Sequence, residues 1–280
     1  MHPKFFSLFL FTLTSLFALS QQTQVSYDTL SSNPEIRFKF PDTTNNLYLR
    51  ELRSKNGLVQ LVAGKQSDSE KILEILNWTH HLWTHNGKNN PTKNDAQSII
   101  DEAKKGKNFR CVEYGIVLST SLQAINFKAR LLGLSTKEVE TAKSNAGHVL
   151  AEVWIPEFEK WVLLDAQFNV MPILNGIPLN AVEFQQAIAQ KKNFKLIDLN
   201  GEIGEIKKKI YLSFITDYLY YMNVSFDERD VPFSELLKIN QKTNLYLVPL
   251  NAKNPTVFQR KFKINNAFYT YSLNDFYQKP

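Results

Sequence analysis

Three side chains between residues 108 and 165 have the types needed for nucleophilic catalysis. Cys111 is the only cysteine in the chain, His148 lies in a strand-like segment, and Asp165 ends a short apolar run. A thiol, a base that removes its proton and a carboxylate that orients the base can together perform acyl transfer. We therefore predict Cys111, His148 and Asp165 as the catalytic residues.

Cys111 stands near the start of a predicted apolar helix that runs to Ala124. The positive end of the helix dipole favours the thiolate, which is the nucleophilic form of cysteine. Backbone N–H groups at the same helix end can stabilise the oxyanion of a tetrahedral intermediate. The alternative is a buried, inert cysteine that packs as a small hydrophobic residue, and composition alone leaves both interpretations open.

A hairpin with a four-residue loop is predicted over residues 148–165. In that register Ile155 pairs with Lys160, and His148 and Asp165 lie diagonally on one face of the sheet. A shift of one residue would place the two side chains on opposite faces. The alternatives are a core histidine with satisfied hydrogen bonds and an aspartate that only ends a strand.

The composition is that of a globular protein, with 43% hydrophobic and 21% charged residues among 280. The net charge of +6 comes from lysines scattered along the chain. Nucleic-acid binding usually requires a basic stripe or a recognisable module. Neither is visible, so we expect no nucleic-acid partner.

The first 20 residues have the pattern of a secretory signal peptide. A basic start is followed by an uncharged apolar run over residues 5–19 and by small residues at 18–20. The run is shorter than the ~20 residues of a membrane span, so we expect cleavage rather than a retained anchor. The mature protein is then periplasmic or extracellular, has no membrane span, and with one cysteine cannot form an intramolecular disulfide.

The remaining elements are predicted from periodicity and capping. Helices are expected at 43–54, 70–85, 95–105 and 181–190, and strands at 127–134, 244–248 and 268–272. Residues 207–222 fit either type of element. Whether residues 191–280 extend one sheet or form a separate lobe stays open.

The order of four segments resembles that of the transglutaminase-like superfamily. These segments are Cys111 at a helix start, Ala129-Arg130 in a strand, His148 in the next strand, and Trp161-x-x-x-Asp165. The resemblance covers roughly residues 70–168. It implies an α+β fold with a papain-like core, in which helices pack on an antiparallel sheet.

The N-terminal pattern and the resemblance together divide the chain, and the resemblance implies a chemistry. The divisions are a signal peptide at 1–20, an N-terminal extension at 21–66, a catalytic core at 67–170 and a C-terminal extension of unknown role at 171–280. The implied reaction is acyl transfer from an amide or peptide bond of a protein or peptide through a thioester. No metal and no organic cofactor is expected.

Several alternatives remain at this point. Water as acceptor gives a protease or amidase, towards which we lean, and an amine gives a transamidase. The same fold without turnover would be a binding or structural module, which the large flanking segments and the bulky Arg110 beside Cys111 favour. Processing of cell-wall peptides is a further possibility.

Two other groups of side chains are candidates for parts of a site. The resemblance implies an oxyanion partner upstream of the cysteine, for which Trp78, Trp83 and, as a weaker candidate, Gln97 are available. Core packing is the preferred interpretation of the two tryptophans. His81 and His85, four residues apart, have a spacing that can bind zinc. No third ligand accompanies them, so a solvated helix face is the preferred interpretation.

Overall fold

The computed structural model describes residues 25–280, so the predicted signal peptide lies outside the described residues. The helices are α1 Leu47–Lys55, α2 Leu58–Leu61, α3 Asp68–His80, α4 Ala96–Ala103, α5 Cys111–Ala124, α6 Ala181–Ala189, α7 Glu205–Ile215 and α8 Leu273–Phe276. Two short 3₁₀ helices span Pro156–Phe158 and Thr216–Tyr218.

The strands are short, and most pair as antiparallel neighbours. They are β1 Ala129–Ser135, β2 Gly147–Ile155, β3 Lys160–Leu164, β4 Met171–Leu174, β5 Ile177–Pro178, β6 Lys195–Asp198, β7 Gly201–Glu202, β8 Tyr221–Ser225, β9 Asn244–Leu247, β10 Val257–Phe258, β11 Phe262–Lys263 and β12 Ala267–Thr270. The main sheet has the order β12-β9-β8-β1-β2-β3, in which only β12 and β9 run parallel. A second sheet has the order β5-β4-β6-β7, and β10 pairs with β11.

This architecture confirms the predicted α+β class. It also resolves the question about the last 90 residues, because β8, β9 and β12 continue the sheet that begins with β1 to β3. No helix within residues 25–280 combines the length and the apolar character that a bilayer span requires.

Strand alternation gives the main sheet two apolar faces. On β2, Ala151 and Val153 belong to the core formed with α1 to α5. Leu150, which points the other way, belongs to the core that contains the buried residues of α6 and α7. The sheet is therefore covered on both sides, and α5 and α7 approach it from opposite cores.

Helix α5 lies unusually close to the sheet at Gly115. A Cβ atom built on this glycine would lie 2.9 Å from Leu131 Cδ2, 3.1 Å from Val149 Cγ1 and 3.2 Å from the Leu150 carbonyl oxygen. The absence of a side chain at Gly115 thus sets the distance between the start of α5 and β2.

We expect Gly115→Ala to destabilise the fold despite the higher helix propensity of alanine. The added methyl group has to push α5 from β2, and overpacking of this kind costs about 1–3 kcal/mol. Urea unfolding of the variant measures this cost, with Gly204→Ala as control because no atom beyond the adjacent residues lies within 4 Å of its Cβ position. Equal destabilisation by the two substitutions would contradict the prediction.

Two predicted helices end or begin at different residues. The helix expected over 70–85 begins at Asp68, with a capping box formed by Ser67 and Glu70, but ends at His80. It stops because Trp83 packs on Tyr114 of α5, with ring centroids 4.3 Å apart. The helix expected over 95–105 is α4, which begins after its N-cap Asp95 and ends at Ala103.

Candidate active site

The start of α5 is fixed by an interaction between Arg110 and Glu113. The buried Glu113 carboxylate accepts from the Arg110 backbone N–H at 3.0 Å and pairs with its guanidinium at 2.6 Å. Arg110 is thereby held along the first turn of the helix, next to the partly exposed Cys111. The first N–H groups of a helix have no partners within it, so donors are available beside the Cys111 sulfur.

His148 and Asp165 form a buried hydrogen-bonded pair. His148 Nε2 lies 2.8 Å from Asp165 Oδ2, and each residue is 1% exposed. The register predicted for the hairpin is confirmed, because Ile155 pairs with Lys160. That register brings the imidazole near the start of β2 to the carboxylate just after β3.

The second oxygen of Asp165 is held by the backbone. Oδ1 accepts from the N–H of Gln167 at 3.0 Å and from the N–H of Phe168 at 3.4 Å. Asp165 also exchanges two backbone hydrogen bonds with Val170. The turn after β3 therefore fixes the orientation of the carboxylate towards His148.

Cys111 is the other side chain whose proximity favours the protonated form of the His148 ring. Since Nε2 faces Asp165, Nδ1 is the ring nitrogen available to the sulfur. Burial opposes protonation of His148, but the charge and hydrogen bond of Asp165, together with Cys111, raise its pKa to about 9. At neutral pH the ring is therefore an imidazolium between the Asp165 carboxylate and the Cys111 sulfur.

This pKa predicts a pH dependence of stability. An imidazole in the unfolded chain titrates at about 6.5, and His148 in the folded chain at about 9. The stabilisation by its proton is fully present below pH 6.5 and is lost as the pH rises through 9. We expect the free energy of unfolding of the wild type, relative to His148→Gln, to fall by up to roughly 3 kcal/mol over that range.

Urea unfolding at pH 6 and at pH 10 measures this difference. His81→Gln is the matched control, because His81 is exposed. A difference between wild type and His148→Gln that does not change with pH would contradict the assignment.

The three candidate oxyanion residues lie in different surroundings. The Gln97 amide donates to Asp101 and its oxygen accepts from Asn56, which directs it away from Cys111. Trp83 is buried between Phe109 and Tyr114, and Trp78 packs against the same core.

His81 and His85 were expected on one helix face, and the structure does not place them there. His81 is the C-terminal cap of α3, where its Nδ1 bonds the Asn77 carbonyl oxygen at 2.7 Å. His85 lies beyond the helix in an exposed loop. His80 bonds the Ala166 carbonyl oxygen instead. The four-residue spacing of His81 and His85 therefore places them on no common helix turn.

A group of aromatic side chains around the His148–Asp165 pair was not predicted. Phe214 and Tyr218 contact the His148 ring, with centroid distances of 5.0 and 5.9 Å. Phe168 packs on Phe214 and on Tyr211, whose buried side chain lies beside Asp165. The only sequence signal was the abundance of tyrosine and leucine in residues 207–222.

Comparison with known proteins gives a family match for the part of the chain that contains the candidate site. Residues 56–166 match the sequence model of the Transglutaminase-like superfamily. This segment is transglutaminase-like. It contains Cys111, His148 and Asp165, whereas the aromatic residues from 168 onwards lie outside it. No curated protein matches the sequence.

Solved structures of low sequence identity also resemble the chain. A candidate cysteine protease from Cytophaga hutchinsonii is 16% identical, with a TM-score of 0.36 over 52% of this chain and 46% of its own. A candidate protease from Parabacteroides distasonis is 13% identical, with a TM-score of 0.31 over 55% of this chain and 27% of its own. An arylamine N-acetyltransferase from Nocardia farcinica is 9% identical, with a TM-score of 0.29 over 71% of this chain and 79% of its own. The chain thus spans less than half the length of the first two structures.

Proposed function

We propose that the protein is a cysteine-nucleophile enzyme that transfers acyl groups from amide or peptide bonds, with Cys111 as nucleophile, His148 as acid and base, and Asp165 as the group that orients His148. The observation that carries the proposal is the buried 2.8 Å His148–Asp165 hydrogen bond next to a thiol at the start of α5. The transglutaminase-like segment around these residues supports the same chemistry.

In the first half of the reaction the thiolate attacks the carbonyl carbon. The proton of Cys111 resides on His148 Nδ1, and the new C–S bond turns the carbonyl oxygen into an oxyanion. Collapse of this intermediate breaks the C–N bond, and His148 gives its proton to the departing amine. The acyl group then remains on Cys111 as a thioester.

In the second half an acceptor attacks the thioester. His148, now neutral, removes a proton from the acceptor as it bonds to the acyl carbon. The C–S bond breaks, and the thiolate and imidazolium are restored. We favour water as acceptor, which gives peptide or amide hydrolysis. From the predicted signal peptide we also propose that the reaction takes place in the periplasm or outside the cell.

Mass spectrometry of the intact protein tests this proposal. The chain without residues 1–20 is mixed with three sets of peptides: linear peptides, glutamine-containing peptides and cell-wall stem peptides. Each reaction is run with and without a primary amine and is then quenched in acid. We expect an adduct on wild type, absent from Cys111→Ala, whose mass equals the peptide acyl group.

The released products identify the acceptor and the substrate. A free acid supports hydrolysis, an amine conjugate indicates transamidation, and reaction with stem peptides alone indicates cell-wall processing. Peptide binding without any adduct would contradict catalysis and would favour a binding module.

A further inference from the structure

Two aromatic side chains that contact His148 come from outside the transglutaminase-like segment. Phe214 lies in α7, and Tyr218 ends the 3₁₀ helix that follows it. The Phe214 ring meets the His148 ring at 90°, and Tyr218 lies against both rings, 5.1 Å from Phe214. The C-terminal region therefore completes one wall of the candidate active site.

The two aromatic residues differ in what they can offer a substrate. Phe214 presents only carbon atoms and packs on Phe168. Tyr218 is half-buried and carries a hydroxyl group. Burial and the neighbouring charge of Cys111 raise the pKa of the Tyr218 phenol above its ordinary value. At neutral pH Tyr218 is therefore an O–H donor, and its ring lies against the His148 ring, with centroids 5.9 Å apart.

The proposed reaction needs such a donor. Attack by Cys111 creates a negative charge on the acyl oxygen, and each well-placed donor for that charge typically contributes 10²–10³ in rate. The backbone N–H groups at the start of α5 supply one side of this site. Gln97 is engaged elsewhere, and Trp83 is enclosed by Phe109 and Tyr114.

We propose that Tyr218 is a further catalytic residue, whose phenol O–H donates a hydrogen bond to the acyl oxygen that becomes negative when Cys111 attacks. This inference rests on the proposed function, because it assigns a role within the same reaction. It also gives the C-terminal region a direct part in the chemistry.

Tyr218→Phe tests the assignment, since it removes the hydroxyl and keeps the ring on His148. The assay uses the best peptide found by acyl-enzyme mass spectrometry. We expect kcat to fall about 10²-fold and KM to change less than about threefold. Alkylation of Cys111 by iodoacetamide forms no oxyanion on an acyl group, so its rate should stay at the wild-type value. Tyr220→Phe, which alters a neighbouring partly buried tyrosine, should leave both rates unchanged.

Three outcomes would overturn the assignment. An unchanged kcat in Tyr218→Phe, with wild-type alkylation, would exclude a role for the hydroxyl. A parallel fall in kcat and in the alkylation rate would mean that Tyr218 only positions His148. Failure of the wild type itself to form a thioester would overturn the proposed function together with the assignment, whereas the first two outcomes leave the proposed function intact.

Discussion

Asp165→Asn is expected to lower the rate of acyl-enzyme formation by about 10³–10⁴-fold while the protein stays folded. The asparagine oxygen can still accept from the N–H groups of Gln167 and Phe168, as Oδ1 does now. Its NH₂ group, however, would face His148 Nε2 in place of an acceptor oxygen. Nε2 would then have to accept a hydrogen bond, so the proton of the neutral ring would lie on Nδ1. Nδ1 could then no longer accept the proton of the Cys111 thiol.

Single-turnover formation of the thioester measures this effect. Asp101→Asn is the matched control, because Asp101 pairs with Lys55 on the surface and touches none of the three catalytic candidates. We expect the control to react at the wild-type rate. A loss of less than about tenfold in Asp165→Asn would contradict the role assigned to Asp165.

Arg130→Met is expected to lower the free energy of unfolding by about 3–5 kcal/mol. Arg130 and Glu152 face each other across β1 and β2, both are fully buried, and their side chains lie 2.6 Å apart. The guanidinium also donates to the Phe276 carbonyl oxygen and stacks 4.3 Å from the Trp161 ring. Removing it leaves the Glu152 carboxylate buried without its counter-charge.

Urea unfolding measures this loss, with two comparisons. The double variant Arg130→Met with Glu152→Gln should regain much of the lost stability, because no charge is then left unpaired. Lys55→Met, which breaks an exposed pair with Asp101, should cost less than about 1 kcal/mol. A loss of similar size in Arg130→Met and Lys55→Met would contradict a central role for the buried pair.

The parts of the site that follow from local rules were predictable from the sequence. A hairpin loop of fixed length sets the register, and this register brings His148 and Asp165 to the same place on the sheet. The start of α5 at Cys111 follows from the apolar run that begins there. The Arg130–Glu152 pair was not predicted, although both residues lie in predicted strands, because the pairing of β1 with β2 depends on a connection of 11 residues between them.

The contribution of the C-terminal region could not be predicted. Residues 207–222 satisfy both helical and strand periodicity, and the choice between them is made by tertiary contacts. The buried Tyr211 packs on Phe168 and Phe184, which fixes α7 as a helix, and β8 then pairs with β1. Tertiary contacts also determine where α3 ends. Trp83 packs on Tyr114, and this packing overrides the helical pattern that continues to residue 85.

The central claim is that His148 activates the thiol of Cys111, and the rate of Cys111 alkylation by iodoacetamide at pH 7 tests it most directly. An ordinary thiol titrates near 8.5, so only a few per cent of it is thiolate at this pH. We predict that the wild type reacts at least about tenfold faster than His148→Ala, and that His81→Ala reacts like the wild type. Slow alkylation at equal rates in wild type and His148→Ala would contradict the account.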